Sequence, residues 1–420
     1  MKRIGIIGSG NMGSGLAQKT AQEGLSVVTV DIKPEIVENA LNVIRKTLQE
    51  AVEREIIKPE KVDEILGRIH GTTDISEVKD CDLIIETVWE DMAAKKEVFQ
   101  KLDKICNPET IIASNTSSFS IDDMADALDR PERFLGLHFF YHPAKNRLVE
   151  IVPGSKTSKE TIEAGKLFTR LTGKTGILVK DSAGFGVNRY FVPWLNEATR
   201  ILEEGTANIA TIEKAGKESL GLGMGPFELM NITIVHTAFH AALGIADKLG
   251  AFYAPSNRLK EQAQTDKPWP LEGDVDENKL RLIVERLLAV VFFAASSLVQ
   301  EGVSDVADAD LGAKVGLRWP IGPFEKMNSI GIDKAYDMVK KLLEAWPSIS
   351  MPEILARQKE KGEPWDVRDV RYAKDADRGG GSSPIIPGAS YRLYRPDGSL
   401  TPSQIADTFI HLLESGYVKK

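Results

Sequence analysis

Apolar residues run through positions 3–7, stop at Gly8, and give way to a helix-compatible stretch from Asn11 to Glu23 and a β-branched run from Ser26 to Val30 that ends on Asp31. Short apolar runs bounded by glycine or charge read as buried strands, and longer segments of helical period read as helices. The opening therefore predicts one βαβ unit. Helical stretches at 34–54 and 58–68, a strand at 82–88, a helix at 91–105 and a strand at 110–115 continue the alternation. Strand and helix in turn predict a doubly wound, Rossmann-type α/β sheet. FLGLHFF (134–140) and LVEIVP (148–153) are separated only by YHPAKNR. A parallel crossover needs a dozen or more residues, so these two strands predict an antiparallel hairpin.

A last strand-like run, GILVK at 176–180, precedes DSAGFGVN, after which the pattern is helical almost to position 350. The helical part repeats itself at an offset of 97 residues: GPFELMN (225–231) recurs as GPFEKMN (322–328), EEG (203–205) as QEG (300–302), and Val187, Arg189, Ala198, Lys217 and Leu220 as Val284, Arg286, Ala295, Lys314 and Leu317. A fixed period of this kind predicts two tandem copies of one all-α unit. The expected organisation is a dinucleotide-binding domain at 1–180, a first helical domain at 181–276, a second helical copy at 277–373, and a Gly/Ser/Pro linker with a terminal hairpin or helix cap at 374–420, the hairpin turning at Pro396-Asp397-Gly398.

Composition narrows the function. Of 420 residues, 42% are hydrophobic and 27% charged, an ordinary globular balance, and the net charge of −8 argues against a nucleic-acid surface, which needs clustered cations. The two cysteines, Cys81 and Cys106, have neither metal nor disulfide-framework spacing and fit a reduced cytoplasm. The longest apolar stretch, 287–299, is shorter than the roughly 20 residues of a membrane span and predicts a buried helix, with no membrane insertion. MKRIGIIG lacks a cleavage pattern and reads as a strand, not a signal peptide.

Gly8, Gly10 and Gly13 form a GxGxxG triplet that leaves a strand and opens a helix, with Asp31 ending the next strand 18 residues beyond Gly13 (31 − 13). In that context Gly8 permits the tight turn, Gly10 lets backbone approach a pyrophosphate, and Gly13 lets helix pack on strand. Asn11 and Met12 begin the helix whose free N–H groups meet the anion. Asp31 accepts hydrogen bonds from ribose hydroxyls and repels a 2′-phosphate, which favours NAD over NADP, although Lys33 nearby pulls the other way.

In the predicted hairpin the turn centres on Ala144, with His138 and Glu150 each six residues away, so they become cross-strand partners. Cβ atoms of directly opposed residues lie about 5 Å apart, close enough for imidazole Nδ1–H to reach a carboxylate while Nε2 takes a proton from a substrate alcohol. The same spacing also fits a pair that only braces the hairpin.

ASNTSSFSI, GLHFFYHPAKNRLVEIV, DSAGFGVNRY and GLGMGPFELMN, with the glycine motif, resemble the 3-hydroxyacyl-coenzyme A dehydrogenase family over residues 1 to about 330. The resemblance implies an NAD-dependent enzyme that interconverts (S)-3-hydroxyacyl-CoA and 3-oxoacyl-CoA, as in fatty acid β-oxidation. It implies His138 and Glu150 as the catalytic pair, Ser117 positioning substrate and histidine, and Asn188 holding the thioester carbonyl. Glu90 and Lys95 fall where the family approaches the ribose and nicotinamide, and Asn115 and Ser117 are also assigned to the cofactor. On spacing alone Glu90 and Lys95 read as surface helix charges. After HFF the family has asparagine and proline where this chain has Tyr141 and His142, so no contact is carried onto Tyr141. Relatives with one helical domain form two-fold dimers through it, so the second copy is expected to supply the partner's surface from within one chain and to be structural, with Glu285 at the place of Asn188.

Two rivals stand beside this reading: a related NAD dehydrogenase acting on a hydroxy or sugar acid, and a catalytically silent nucleotide-binding scaffold. His236 and His240 have a zinc-compatible i, i+4 spacing but Thr237 stands where HExxH has glutamate, so no metal is expected. Arg45, Lys46 and Arg54 read as a solvated helix face.

Overall fold

The computed structural model describes residues 1–265 and 267–367. The expected linker and terminal hairpin at 374–420 lie outside the described residues.

The sheet half runs β1 (Arg3–Ile7), α1 (Asn11–Gln22), β2 (Ser26–Val30), α2 (Pro34–Glu53), α3 (Glu60–Leu66), β3 (Ile69–Thr72), β4 (Leu83–Glu86), α4 (Met92–Ile105), β5 (Ile111–Ser114), α5 (Ile121–Ala125), β6 (Phe134–Phe139), β7 (Leu148–Pro153), α6 (Lys159–Leu171) and β8 (Thr175–Leu178). The strands form one sheet in the order β3-β2-β1-β4-β5-β6-β7-β8, parallel except for the β6–β7 pair. The strand order reverses at β1 and β4, where an α/β sheet opens a ligand crevice at the carboxyl ends of its strands. Period-2 alternation covers both faces. Leu83 and Ile85 pack on one side with Leu16 and Leu48, and Ile84 on the other with Phe99 and Leu102.

The helical half contains α7 (Asn188–Glu203), α8 (Ile209–Leu220), α9 (Pro226–Thr233), α10 (Val235–Leu249), α11 (Asn257–Ala263), α12 (Glu277–Gln300), α13 (Val306–Gly316), α14 (Pro323–Ile330), α15 (Ile332–Ala345) and α16 (Glu353–Lys361). Helix α12 packs against α7, α8 and α15 and is buried continuously from Leu287 to Ser296. It corrects the expected short stretch: at 24 residues it is long and apolar enough to cross a membrane by length and composition, and two thirds of its most apolar window is buried inside the protein. A helix apolar all round needs partners on every side, which its neighbours supply here.

The 97-residue pattern recurs in hydrogen bonds. Glu213 on α8 accepts from Phe227 N at 2.9 Å, and Asp310 on α13 accepts from Phe324 N at 2.7 Å. Asn231 exchanges two hydrogen bonds with the backbone of Trp269, and Asn328 does the same with Trp365, here at an offset of 96 (365 − 269). In each case a tryptophan ring meets a phenylalanine edge-on at 5.0 Å.

Four features depart from the expected elements. Strand β3 was not expected, because its IHGT sequence offers one buried residue. Helices α5 and α6 fall where the sequence pattern predicts no element, and the helices extend to Lys361 rather than stopping near 350.

Candidate active site

The glycine turn lies where β1 feeds α1. Gly8 has φ +99°, and a Cβ there would meet Thr87 O at 2.8 Å; a Cβ on Gly13 would come within 1.8 Å of Gly8 O. The space beside Gly10 is open to 4 Å, and α1 starts there without a side-chain cap. Its first amides, at Asn11 and Met12, therefore face that opening unsatisfied within the helix. Asp31 takes Ser9 N on Oδ2 at 2.7 Å and its own successor's N–H on Oδ1 at 2.8 Å, which fixes its carboxylate at the end of β2. Uncapped amides, the open space at Gly10 and an acidic group one strand away fit the pyrophosphate and ribose of a dinucleotide. Thr87, which the sequence reading passed over, braces the turn by donating to Gly8 O at 2.9 Å.

Gly13→Ala is expected to push α1 off this turn, since the blocking atom is backbone and cannot swing away. NADH affinity should fall more than tenfold, and stability by about 1–3 kcal/mol, the usual cost of overpacking. NADH fluorescence titration and thermal melting check both, and unchanged values would mean the helix can retreat freely.

His138 and Glu150 face each other across the hairpin, in the register counted from Ala144. His138 Nδ1 lies 2.6 Å from Glu150 Oε2, and His138 Nε2 lies 3.1 Å from Ser117 Oγ. Glu150 Oε1 accepts from Gly186 N at 3.1 Å and Val187 N at 2.7 Å, at the start of α7. Both oxygens of Glu150 are thereby engaged, one at the helix start and the other at the imidazole. With Glu150 on Nδ1, Nε2 is the ring nitrogen turned to Ser117. Phe140 and Phe185 flank the ring at 4.6 and 5.6 Å, and both His138 and Glu150 are buried. The amides of Gly186 and Val187 are contacts the sequence reading missed.

Ser117 is held from the connection between β4 and α4. Glu90 Oε1 accepts from Thr116 Oγ1 at 2.5 Å, Ser118 Oγ at 2.8 Å and Ser117 N at 3.2 Å, so one carboxylate organises the whole serine turn. Lys95 is not the surface charge its spacing suggests: it is 1% exposed, its Nζ 2.7 Å from Glu86 Oε1 and 3.1 Å from Glu90 Oε2. Glu86, unforeseen, also accepts from Ser114 Oγ at 2.6 Å. Burial pushes the Glu86 carboxyl above its usual range despite Lys95. At Glu90 burial pushes the same way, but the Lys95 ammonium and the hydroxyl donors outweigh it and hold the carboxyl low. The signal available for Glu86 was a lone carboxylate ending the apolar run LIIE.

Asn115 Oδ1 accepts from Phe139 N at 2.8 Å, tying the end of β5 to β6. Asn188, the first residue of α7, shares a small crevice with Ser117, Gly184 and, on α10, Ala241, Gly244 and Ile245. Its side chain has no hydrogen-bond partner among the described residues. Lys174, also missed, pins the hairpin turn by donating to Pro143 O and Asn146 O at 2.6 Å each, and burial pushes its ammonium down to about 7. His236 and His240 sit together on the exposed face of α10, and no cluster of three potential metal-ligating His, Cys, Asp or Glu side chains occurs among the described residues.

Residues 3–182 match the family description "3-hydroxyacyl-CoA dehydrogenase, NAD binding domain", and residues 184–268 and 282–364 match "3-hydroxyacyl-CoA dehydrogenase, C-terminal domain". Among solved structures, (S)-3-hydroxybutyryl-CoA dehydrogenase PaaH1 from Ralstonia eutropha is 33% identical, with 63% of this chain and 94% of that one covered and a TM-score of 0.61. FadB2 from M. tuberculosis is 31% identical over 64% of this chain and 99% of that one, with a TM-score of 0.62. The 3-hydroxybutyryl-CoA dehydrogenase of Escherichia coli K12, at 23% identity, shares the fold over 86% of this chain and 98% of its own, with a TM-score of 0.80.

Proposed function

Because this chain belongs to the 3-hydroxyacyl-CoA dehydrogenase family of oxidoreductases, whose first domain binds NAD, we propose that it interconverts (S)-3-hydroxyacyl-CoA and 3-oxoacyl-CoA, with His138 as the base. The observation that carries this reading is the hydrogen-bonded chain Glu150–His138–Ser117, which sets the imidazole Nε2 beside a hydroxyl.

NAD, held at the α1 cradle, supplies the acceptor for the hydride that leaves the substrate's C3. His138 Nε2 takes the C3 hydroxyl proton, so that the two electrons of the O–H bond become the second bond of the new carbonyl. Glu150 keeps the ring in the tautomer that can do this and stabilises the imidazolium that forms. Ser117 Oγ, now bonded to Nε2, moves its hydrogen bond to the substrate oxygen. Asn188 donates its free amide to the thioester carbonyl, which orients C3 toward His138.

In this reading residues 181–276 are the catalytic copy of the helical domain and 277–373 the structural copy. The burial of α12 against α7 and α8 supports the view that the second copy takes the place of a dimer partner. Both cysteines are buried and free, which supports a reducing, cytoplasmic setting.

Acetoacetyl-CoA or a longer 3-oxoacyl-CoA is expected to oxidise NADH at a clear rate, followed by loss of absorbance. Turnover of a free hydroxy or sugar acid with none for any thioester would overturn the assignment.

A further inference from the structure

The crevice at Asn188 has a counterpart in the second half of the helical region. Five of its residues belong to the helical half: Gly184, in the turn before α7, with Asn188, Ala241, Gly244 and Ile245. Adding 97 to each number gives Arg281, Glu285, Met338, Lys341 and Leu342, and all five line one groove of about 550 Å³ between α12 and α15. The correspondence is positional: the start of α7, the turn before it and α10 line the first cavity, and α12 and α15 line the second. No residue of the sheet lines the second one, so it has neither a glycine cradle nor a His–Glu pair opposite it.

Its chemistry differs as well. The floor is apolar, with Ala289, Met338, Leu342 and Trp346. Trp346 is held in place by the Arg200 guanidinium, 4.6 Å from its ring centroid. Every carboxylate lining the groove already has a cation. Glu197 and Glu204 are paired with Arg286, Glu285 with Arg281 at 3.0 Å, and Asp337 with Lys359 at 3.5 Å. Lys334 and Lys341 are different. They sit seven residues apart on α15, two turns along one face, both line the groove, and neither has an ion-pair partner among the described residues. An apolar floor with unpaired ammonium groups at its rim complements a molecule with a hydrocarbon tail and an anionic head, and the volume lies within the usual range for a small-molecule site.

We propose that this groove is a second, non-catalytic binding site for an acyl chain carrying an anionic head group, retained on the helix pair that in the first half forms the wall beside Asn188. Free fatty acid and acyl-CoA share this chemistry, and separate titrations tell them apart.

The experiment is calorimetric titration of the full chain with octanoyl-CoA, with sodium octanoate and with coenzyme A alone, in the wild type, Lys334→Glu/Lys341→Glu and Lys334→Arg/Lys341→Arg. The wild type is expected to bind one equivalent more of an octanoyl ligand than the glutamate variant, whose affinity at this site should fall at least tenfold, and the arginine variant should keep that equivalent. Trp346 should report it through a fluorescence change that Trp346→Phe removes. A difference seen with octanoate names the free acid, and one seen only with octanoyl-CoA names the thioester. Equal stoichiometry in the wild type and the glutamate variant overturns the proposal, as does a wild type that binds no extra equivalent and loses a dimer on the same substitutions. The difference between the proteins is independent of the catalytic reading, since an empty catalytic cleft would lower both counts together.

Discussion

His138→Gln should lower turnover of 3-oxoacyl-CoA by about 10²- to 10⁴-fold, the range that general acid–base catalysis typically contributes, while NADH affinity stays within a factor of two or so. Glutamine fills much the same space and can still donate to Glu150, so the hairpin keeps its cross-strand bond. It cannot accept and return a proton at neutral pH. The α1 cradle is built from β1, β2 and Thr87, and none of its hydrogen bonds passes through His138. Single-turnover absorbance separates the loss of the chemical step from NADH binding, which fluorescence reads directly. Activity within a few-fold of wild type would return His138 to the role of a hairpin brace.

Asn188→Ala should cost about 10²-fold in turnover, the size of loss that misplacing a substrate by about 1 Å gives, whereas Glu285→Ala should leave turnover within about twofold. The contrast comes from where each residue sits in its helix. Asn188 is the first residue of α7, just after the two amides that bind Glu150, so it stands at the positive end of the helix. Helix α12 starts at Glu277, and Glu285 lies inside it, past any free amides, with its carboxylate on Arg281. A carboxylate has no hydrogen to donate and opposes negative charge on oxygen. Kinetics on both variants with one thioester decide the matter, and equal losses would sink the idea that the second copy is silent.

The elements that could be read from the sequence were those whose partners are set by local arithmetic. The hairpin register follows from one turn, so the opposition of His138 and Glu150 could be counted from Ala144. The glycine triplet carries its own geometry, and the close approach of Gly13 to Gly8 O bears out the reason for a glycine there. Lys95 could not be read in this way. Its burial depends on Glu86, at the end of the preceding strand β4, and a lysine on a helix of mixed polarity looks solvated until that partner is known. Strand β3 escaped for a similar reason: it is short and its Gly71 faces Val37 of α2, so its order comes from tertiary packing and not from any run of its own. The length of α12 was underestimated because charged residues before 287 interrupt the apolar run without interrupting the helix.

The packing of α12 onto α7 and α8 has a consequence in mass action. Two helical units that met as separate subunits would part on dilution, and whatever their contact stabilised would be lost as protein concentration fell below the dissociation constant. Here the two belong to one chain, joined through residues 264–276, and a short connection of that kind holds its ends at an effective concentration on the order of millimolar however dilute the solution. Helix α7, and with it the amides that bind Glu150, therefore keeps its support in a cell that makes only a few copies of the protein.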